Sequence, residues 1–78
     1  MHKNLNLDFL NHMSLSAQEI NCMRSYMVTH NLKEVARHLN LSVTTVHSYI
    51  ENIKNKLQCH HKNELFLKGQ ILESLGYI

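Results

Sequence analysis

Apolar residues recur at intervals of three and four along most of the chain, which is the period of an α-helix. The clearest case is SVTTVHSYIENIKNKL, residues 42–57, in which one stripe is formed by Val46, Ile50, Ile53 and Leu57. Two earlier stretches and one later stretch show the same period. Valine, isoleucine and tyrosine occur nowhere in a sustained alternation of period two, so strands are not expected. The pattern predicts an all-α fold of four helices.

Capping residues set the start of the first two helices. Ser16 followed by Glu19 forms a capping box, which predicts that the first helix begins at residue 17 and ends near residues 29–31. Asn31 is a good N-cap for a short second helix that ends at Leu39.

A three-residue turn, NLS, separates the second helix from the third. Asn40 tolerates the left-handed backbone that a sharp turn needs, Leu41 fills the corner, and Ser42 caps a third helix over 43–57. The small Ala36 precedes the turn by four residues and lets two helices approach closely. Helix, short turn and helix over about residues 31–50 are typical of a helix-turn-helix.

A longer pattern strengthens this interpretation. The stretches LSAQE, KEVARHLNLSVTTVHSYIENIKNKL and NEL, in this order, resemble the LuxR/GerE-type (NarL-like) helix-turn-helix domain of bacterial transcription regulators. The resemblance runs from Leu15 to Ile78. It implies a four-helix DNA-binding domain over 15–78, a sequence-specific transcription regulator and a dimer. The sequence departs from the family pattern at Gln18, Thr29 and Tyr49.

Residues 1–14 are polar and lack a clear period, so they are interpreted as an N-terminal arm or linker. Its apolar residues Leu7, Phe9, Leu10 and Met13 are candidates to cover part of the core. Two expectations stay open for the whole protein. Either the chain is a stand-alone regulator, or the first fourteen residues are a linker from a longer protein.

Short hydrogen-bonding side chains occupy the outward face of the third helix, where helices usually carry lysine and glutamate. Such side chains suit base edges in the major groove of DNA, although a merely solvated face is the alternative. The base-reading candidates on this face are Thr44, His47, Ser48 and Glu51. By resemblance, the last three occupy positions from which the family reads bases. The candidate phosphate contacts are Lys33, Thr45, Lys54, Asn55 and Lys56. The Glu51 carboxylate is expected either to accept a hydrogen bond from a cytosine amino group or to face solvent.

The fourth helix, over residues 62–75 and ended by Gly76, has more apolar residues than one face can use. Its inward stripe is predicted to be Leu65, Gly69 and Leu72. A second flank consists of Leu67, Ile71 and Leu75, and it is predicted to be a homodimer surface, as the resemblance also implies. The alternative is that residues 1–14 fold back over this flank.

The net charge of the chain is only +2, with a local excess of +2 over residues 41–62. Double-stranded DNA is the partner that this distribution and the resemblance favour, with RNA polymerase or another regulator as further candidates. The low charge keeps an alternative open. In that alternative, the chain is an antagonist that pairs with another regulator through the fourth helix and binds DNA weakly or not at all.

Other classes of function receive little support. Cys22 and Cys59 match no disulfide framework, and Cys22 lies on an apolar face as a small hydrophobe. The run Cys59, His60 and His61 has no zinc-ligand spacing and is read as a polar loop. We expect no catalytic residues, no metal and no cofactor. No apolar run is long enough to span a membrane, so a cytoplasmic protein, associated with the nucleoid when bound to DNA, is expected.

Overall fold

The computed structural model describes residues 14–78, which form four α-helices and, within that range, no strand. The helices are α1 (Ala17–Thr29), α2 (Leu32–Leu39), α3 (Val43–Lys56) and α4 (Lys62–Ser74). The predicted all-α, four-helix fold is confirmed, and α3 and α4 each end one residue earlier than expected. Most of the predicted arm lies outside the described residues, including Leu7, Phe9, Leu10 and Met13.

The predicted N-caps start their helices by satisfying backbone N–H groups that have no partner inside the helix. The Ser16 hydroxyl accepts from the Glu19 N–H at 3.1 Å, and the Glu19 carboxylate accepts from the Ser16 N–H at 2.8 Å. Asn31 Oδ1 accepts from two backbone N–H groups of α2. The Ser42 hydroxyl accepts from the Thr45 N–H at 3.1 Å.

Left-handed residues end the helices. Asn40 has φ 60° in the turn between α2 and α3, as predicted. Gly76 has φ 83°, and the following Tyr77 N–H donates to the Leu72 carbonyl at 2.8 Å. This is the Schellman arrangement, in which the residue after the left-handed one closes the last turn. Gln58, after α3, adopts φ 57° although it is not a glycine or asparagine, which the sequence pattern does not predict.

The core lies between α1 and the other three helices, and each of these three helices contacts α1. The predicted inward stripe of α3, from Val46 to Leu57, is buried. Eight side chains are almost completely removed from solvent: Cys22, Met23, Val35, Val46, Ile53, Leu57, Leu65 and Leu72. Each such apolar side chain contributes about 1.5–3 kcal/mol through burial. The core is therefore built from the stripes that the sequence pattern predicted.

Gly69 allows α4 to approach α1 closely. It is buried beside Leu65 and Leu72, and a Cβ atom at this position would lie 2.5 Å from Cε of Met23 and 2.7 Å from Sδ of Met27. Two methionine side chains occupy the space that a larger residue would need. The predicted inward stripe of α4 is thus confirmed.

The segment after α3 differs from the prediction of a polar loop. Cys59 is buried and belongs to the core, whereas His60 and His61 are exposed. The backbone N–H of Cys59 donates to the Lys54 carbonyl at 2.8 Å, and the Cys59 side chain is turned inward. Burial raises the pKa of the Cys59 thiol, which therefore stays protonated near neutral pH. The small apolar thiol fills the corner between α3 and α4.

Candidate nucleic-acid interface

The α2–turn–α3 segment fixes the orientation of α3. The Leu41 N–H donates to the Ala36 carbonyl at 2.9 Å, which closes the turn around Asn40. Val46 is fully buried against the rest of the core, and Ala36 is 6% exposed. One face of α3 is therefore held inward, and its opposite face is presented to solvent. This geometry defines a helix-turn-helix protein.

The outward face of α3 carries every residue of the predicted base-reading set. Thr44, His47 and Ser48 are exposed, and Glu51 is half-buried. Thr45 and Asn55, two of the predicted phosphate contacts, are also exposed on α3, and Lys33 is exposed near the start of α2. The Thr45 hydroxyl accepts from the Ser42 hydroxyl at 2.9 Å, so it is part of the cap at the N-terminus of α3.

Three charged or polar side chains interact along this face. Glu51 Oε2 lies 3.2 Å from Lys54 Nζ and 3.9 Å from Nε2 of His47. The Lys54 side chain is only 24% exposed, against 60% for His47 and 47% for Glu51. Lys54 therefore lies against the protein, while the other two side chains project outward.

Lys56 has a different environment from the one expected of a phosphate contact. Its ammonium group lies 2.7 Å from Oε1 of Glu19 and donates to the Ser14 carbonyl at 2.8 Å. Burial alone favours the neutral form of Glu19, but the hydrogen bonds from Lys56 and Ser16 outweigh it and lower the pKa of the carboxyl group. Lys56 thus joins the C-terminal end of α3 to the start of α1.

Two further contacts, at and just after the C-terminal end of α3, were not predicted. The Lys68 ammonium group on α4 donates to the carbonyls of Leu57 at 2.7 Å and Gln58 at 3.2 Å. The Glu64 carboxylate accepts from the His60 N–H at 3.1 Å, which lowers the pKa of Glu64. Lys68 is eleven residues from Leu57, so no spacing within one helix reveals this contact.

The predicted dimer flank lies on the surface of α4. Leu67 is 50% exposed and Leu75 is 53% exposed, while Ile71 packs partly against the core. These three residues, with Gln70 and Ser74, line one shallow groove. The flank is therefore available on the surface of the described residues.

Comparison with known proteins agrees with the helix-turn-helix geometry. The family model described as "Bacterial regulatory proteins, luxR family" matches residues 13–68. The chain therefore belongs to this family of bacterial regulatory proteins. The chain is also similar to the transcriptional regulatory protein RcsA of Klebsiella aerogenes, with 30% identity over 63 residues. That match covers 81% of this chain and 30% of RcsA, so the chain spans about a third of the relative's length. No solved structure gives a significant match.

Residues 14–78 contain no cluster of three or more side chains from histidine, cysteine, aspartate and glutamate with the geometry of a metal site. No helix in the same range has the length and apolar character needed to cross a membrane.

Proposed function

We propose that this protein binds specific DNA sequences by placing α3 in the major groove. The observation that carries the proposal is the division of α3 into a buried stripe and an exposed polar face. The major groove of B-DNA accommodates one α-helix, and its base edges offer hydrogen-bond donors and acceptors to such a face. Membership of the LuxR family supports the same function.

Each outward residue receives a role in this proposal. Base edges are read by Thr44, His47, Ser48 and Glu51. Phosphates are held by Lys33, Thr45 and Asn55, which flank the reading face on α2 and α3 and are exposed. Lys54 and Lys56 were also predicted to hold phosphates. Because their ammonium groups are paired with Glu51 and Glu19, we assign them other roles.

The proposal includes a homodimer that forms through Leu67, Ile71 and Leu75 on α4. Two recognition helices related by a two-fold axis read the two halves of an inverted repeat. We place this complex in the cytoplasm, on the nucleoid when bound, with RNA polymerase or another regulator as a further partner.

Selection of bound duplexes from a random DNA pool tests the proposal. We expect enrichment of an inverted repeat whose half-sites lie about 10 bp apart, or a multiple of that distance. A single asymmetric motif contradicts the dimer, and the absence of any enriched motif contradicts sequence-specific binding.

One observation favours the alternative, a protein-binding antagonist. Two of the lysines near the reading face are neutralised by carboxylates of the same chain, which lowers the positive charge available to phosphates. The exposed Leu67 and Leu75 then serve to bind another regulator. A mobility shift on random duplex at low salt separates the two functions. Binding in the micromolar range supports the regulator, and no binding at tens of micromolar supports the antagonist.

A further inference from the structure

Glu51 is an unusual side chain to place in a DNA groove, because phosphates repel a carboxylate. In this protein Lys54 compensates its charge, since the ammonium group lies 3.2 Å from Oε2. Nε2 of His47 lies 3.9 Å from the same oxygen. Glu51 and Lys54 together bring no net charge to the groove. The pair therefore meets less repulsion than a lone carboxylate.

The two oxygens of this carboxylate have different surroundings. Both contacts use Oε2, which leaves Oε1 without a partner among residues 14–78. Glu51 is 47% exposed, so Oε1 is accessible from the outward face of α3. One oxygen is thus anchored to the protein, and the other is free to accept a hydrogen bond.

Lys54 is held more firmly than a solvent-exposed lysine. Its side chain is only 24% exposed. It lines one recess together with the apolar residues Leu32, Ile50 and Leu65 and with Glu51 itself. A lysine whose stem packs on apolar side chains fixes the position of the group with which it pairs.

The chemistry of base edges selects the ligand of Oε1. In the major groove only cytosine and adenine present an amino donor. Beside the adenine amino group lies the acceptor N7, which repels a carboxylate. Guanine and thymine present acceptors at the equivalent place. A carboxylate held on this face therefore favours cytosine.

We infer that Glu51 selects a cytosine in each half-site and that Lys54 is the positioning residue that aims its carboxylate. The inference rests on the proposed function, because it requires α3 to lie in the major groove. It assigns Lys54 to base specificity instead of phosphate binding. It also predicts different consequences for the loss of the two side chains.

Parallel selections from one random duplex pool test this inference, with wild type, Glu51→Gln, Lys54→Met, Lys54→Arg and Lys33→Met as proteins. Wild type should enrich cytosine at one position per half-site by about fivefold or more over each other base. Glu51→Gln should convert that position to adenine, because an amide pairs with adenine N6 and N7. All other positions should stay unchanged.

The lysine variants separate positioning from simple charge. Lys54→Met keeps the apolar stem and should lower the cytosine preference severalfold while the rest of the motif persists. Lys54→Arg should restore that preference. The control Lys33→Met should weaken binding to all sequences and leave the motif unchanged. Circular dichroism of each variant verifies that the helices are intact.

The outcomes that overturn the inference are distinct from failure of the proposed function. If wild type enriches a motif and Glu51→Gln enriches the same one, Glu51 does not read a base, although the regulator function stands. If Lys54→Met retains the full cytosine preference, Lys54 does not position Glu51. If wild type enriches no motif, the proposed function fails and the inference fails with it.

Discussion

The Lys56 ammonium group and the Glu19 carboxylate form an ion pair at 2.7 Å that connects the end of α3 to the start of α1. The Glu19 side chain is 5% exposed, so its charge depends on partners inside the protein. The same carboxylate completes the capping box of α1. One acidic residue thus caps one helix and anchors the proposed recognition helix.

Replacement of Lys56 by methionine should destabilise the fold because it leaves a buried carboxylate without its cation. The expected loss in the free energy of unfolding is about 1–3 kcal/mol, measured by urea denaturation. Lys33→Met is the matched control, since it removes an exposed lysine and should change stability by less than about 0.5 kcal/mol. Equal effects of the two variants contradict a structural role for Lys56.

Acid should weaken the protein through Glu19. The pKa of Glu19 in the folded state is below its ordinary value of 4.5, so the unfolded chain binds the proton more readily. The stabilisation is present above pH 4.5 and is lost as the pH falls through the lower folded pKa. Urea denaturation of wild type and Glu19→Gln between pH 6 and pH 3 measures this effect. The stability difference between them should shrink toward pH 3, and a constant difference contradicts the assignment.

Loss of His47 and loss of Lys33 should affect DNA binding differently. His47→Ala should relax preference at one base pair per half-site, costing about 1–3 kcal/mol on the preferred sequence and little on random DNA. Lys33→Ala should weaken all sequences alike and reduce the salt slope by about one per subunit. Titrations at several salt concentrations measure both. If Lys33→Ala alters the motif and His47→Ala does not, α3 is docked in another rotation.

A charge on the outer flank of α4 should disrupt the proposed dimer. Leu67→Glu places a carboxylate in an apolar interface, where it has no partner, and should raise the dimer dissociation constant about 10-fold or more. Leu67 is half-exposed, so the folded monomer should tolerate the change. Val28→Glu is the control, because Val28 is 83% exposed on α1, outside this flank. Sedimentation equilibrium with an unchanged association constant for Leu67→Glu excludes this surface.

Glycine at position 58 should stabilise the protein. Gln58 adopts φ 57°, a left-handed conformation that costs a residue with a Cβ about 1–2 kcal/mol. Glycine removes this cost, but it also has more conformational freedom in the unfolded chain, which offsets part of the benefit. Gln58→Gly should therefore raise the free energy of unfolding by about 0.5–1 kcal/mol. Thermal unfolding should show Tm higher by about 2–8 °C. Gln58→Ala keeps the strain and should leave Tm nearly unchanged, and a similar rise in both variants contradicts this explanation.

The helices, the N-caps of α1, α2 and α3, and the buried stripes all follow from the local pattern of residues. Ser16, Asn31 and Ser42 cap backbone groups two or three residues away, and Asn40 makes a turn through its own backbone preference. The helical period likewise places residues on a face before any helix is docked. These features depend on interactions between residues close in sequence, so the pattern of the chain predicts them. Periodicity places the polar face of α3 and the apolar flank of α4, whereas their roles in base reading and dimer formation come from the resemblance to the LuxR family and stay predictions.

The partner of each charged side chain depends on how the helices pack against one another. Lys56 and Glu19 are 37 residues apart, and Lys68 reaches the Leu57 carbonyl from another helix. The burial of Cys59 likewise depends on the way α4 packs beside the end of α3. Spacing along the chain predicts on which side of a helix a lysine lies. Whether its ammonium group meets a carboxylate, a carbonyl or solvent depends on the docking of several helices, because charged side chains are long and their partners come from other elements.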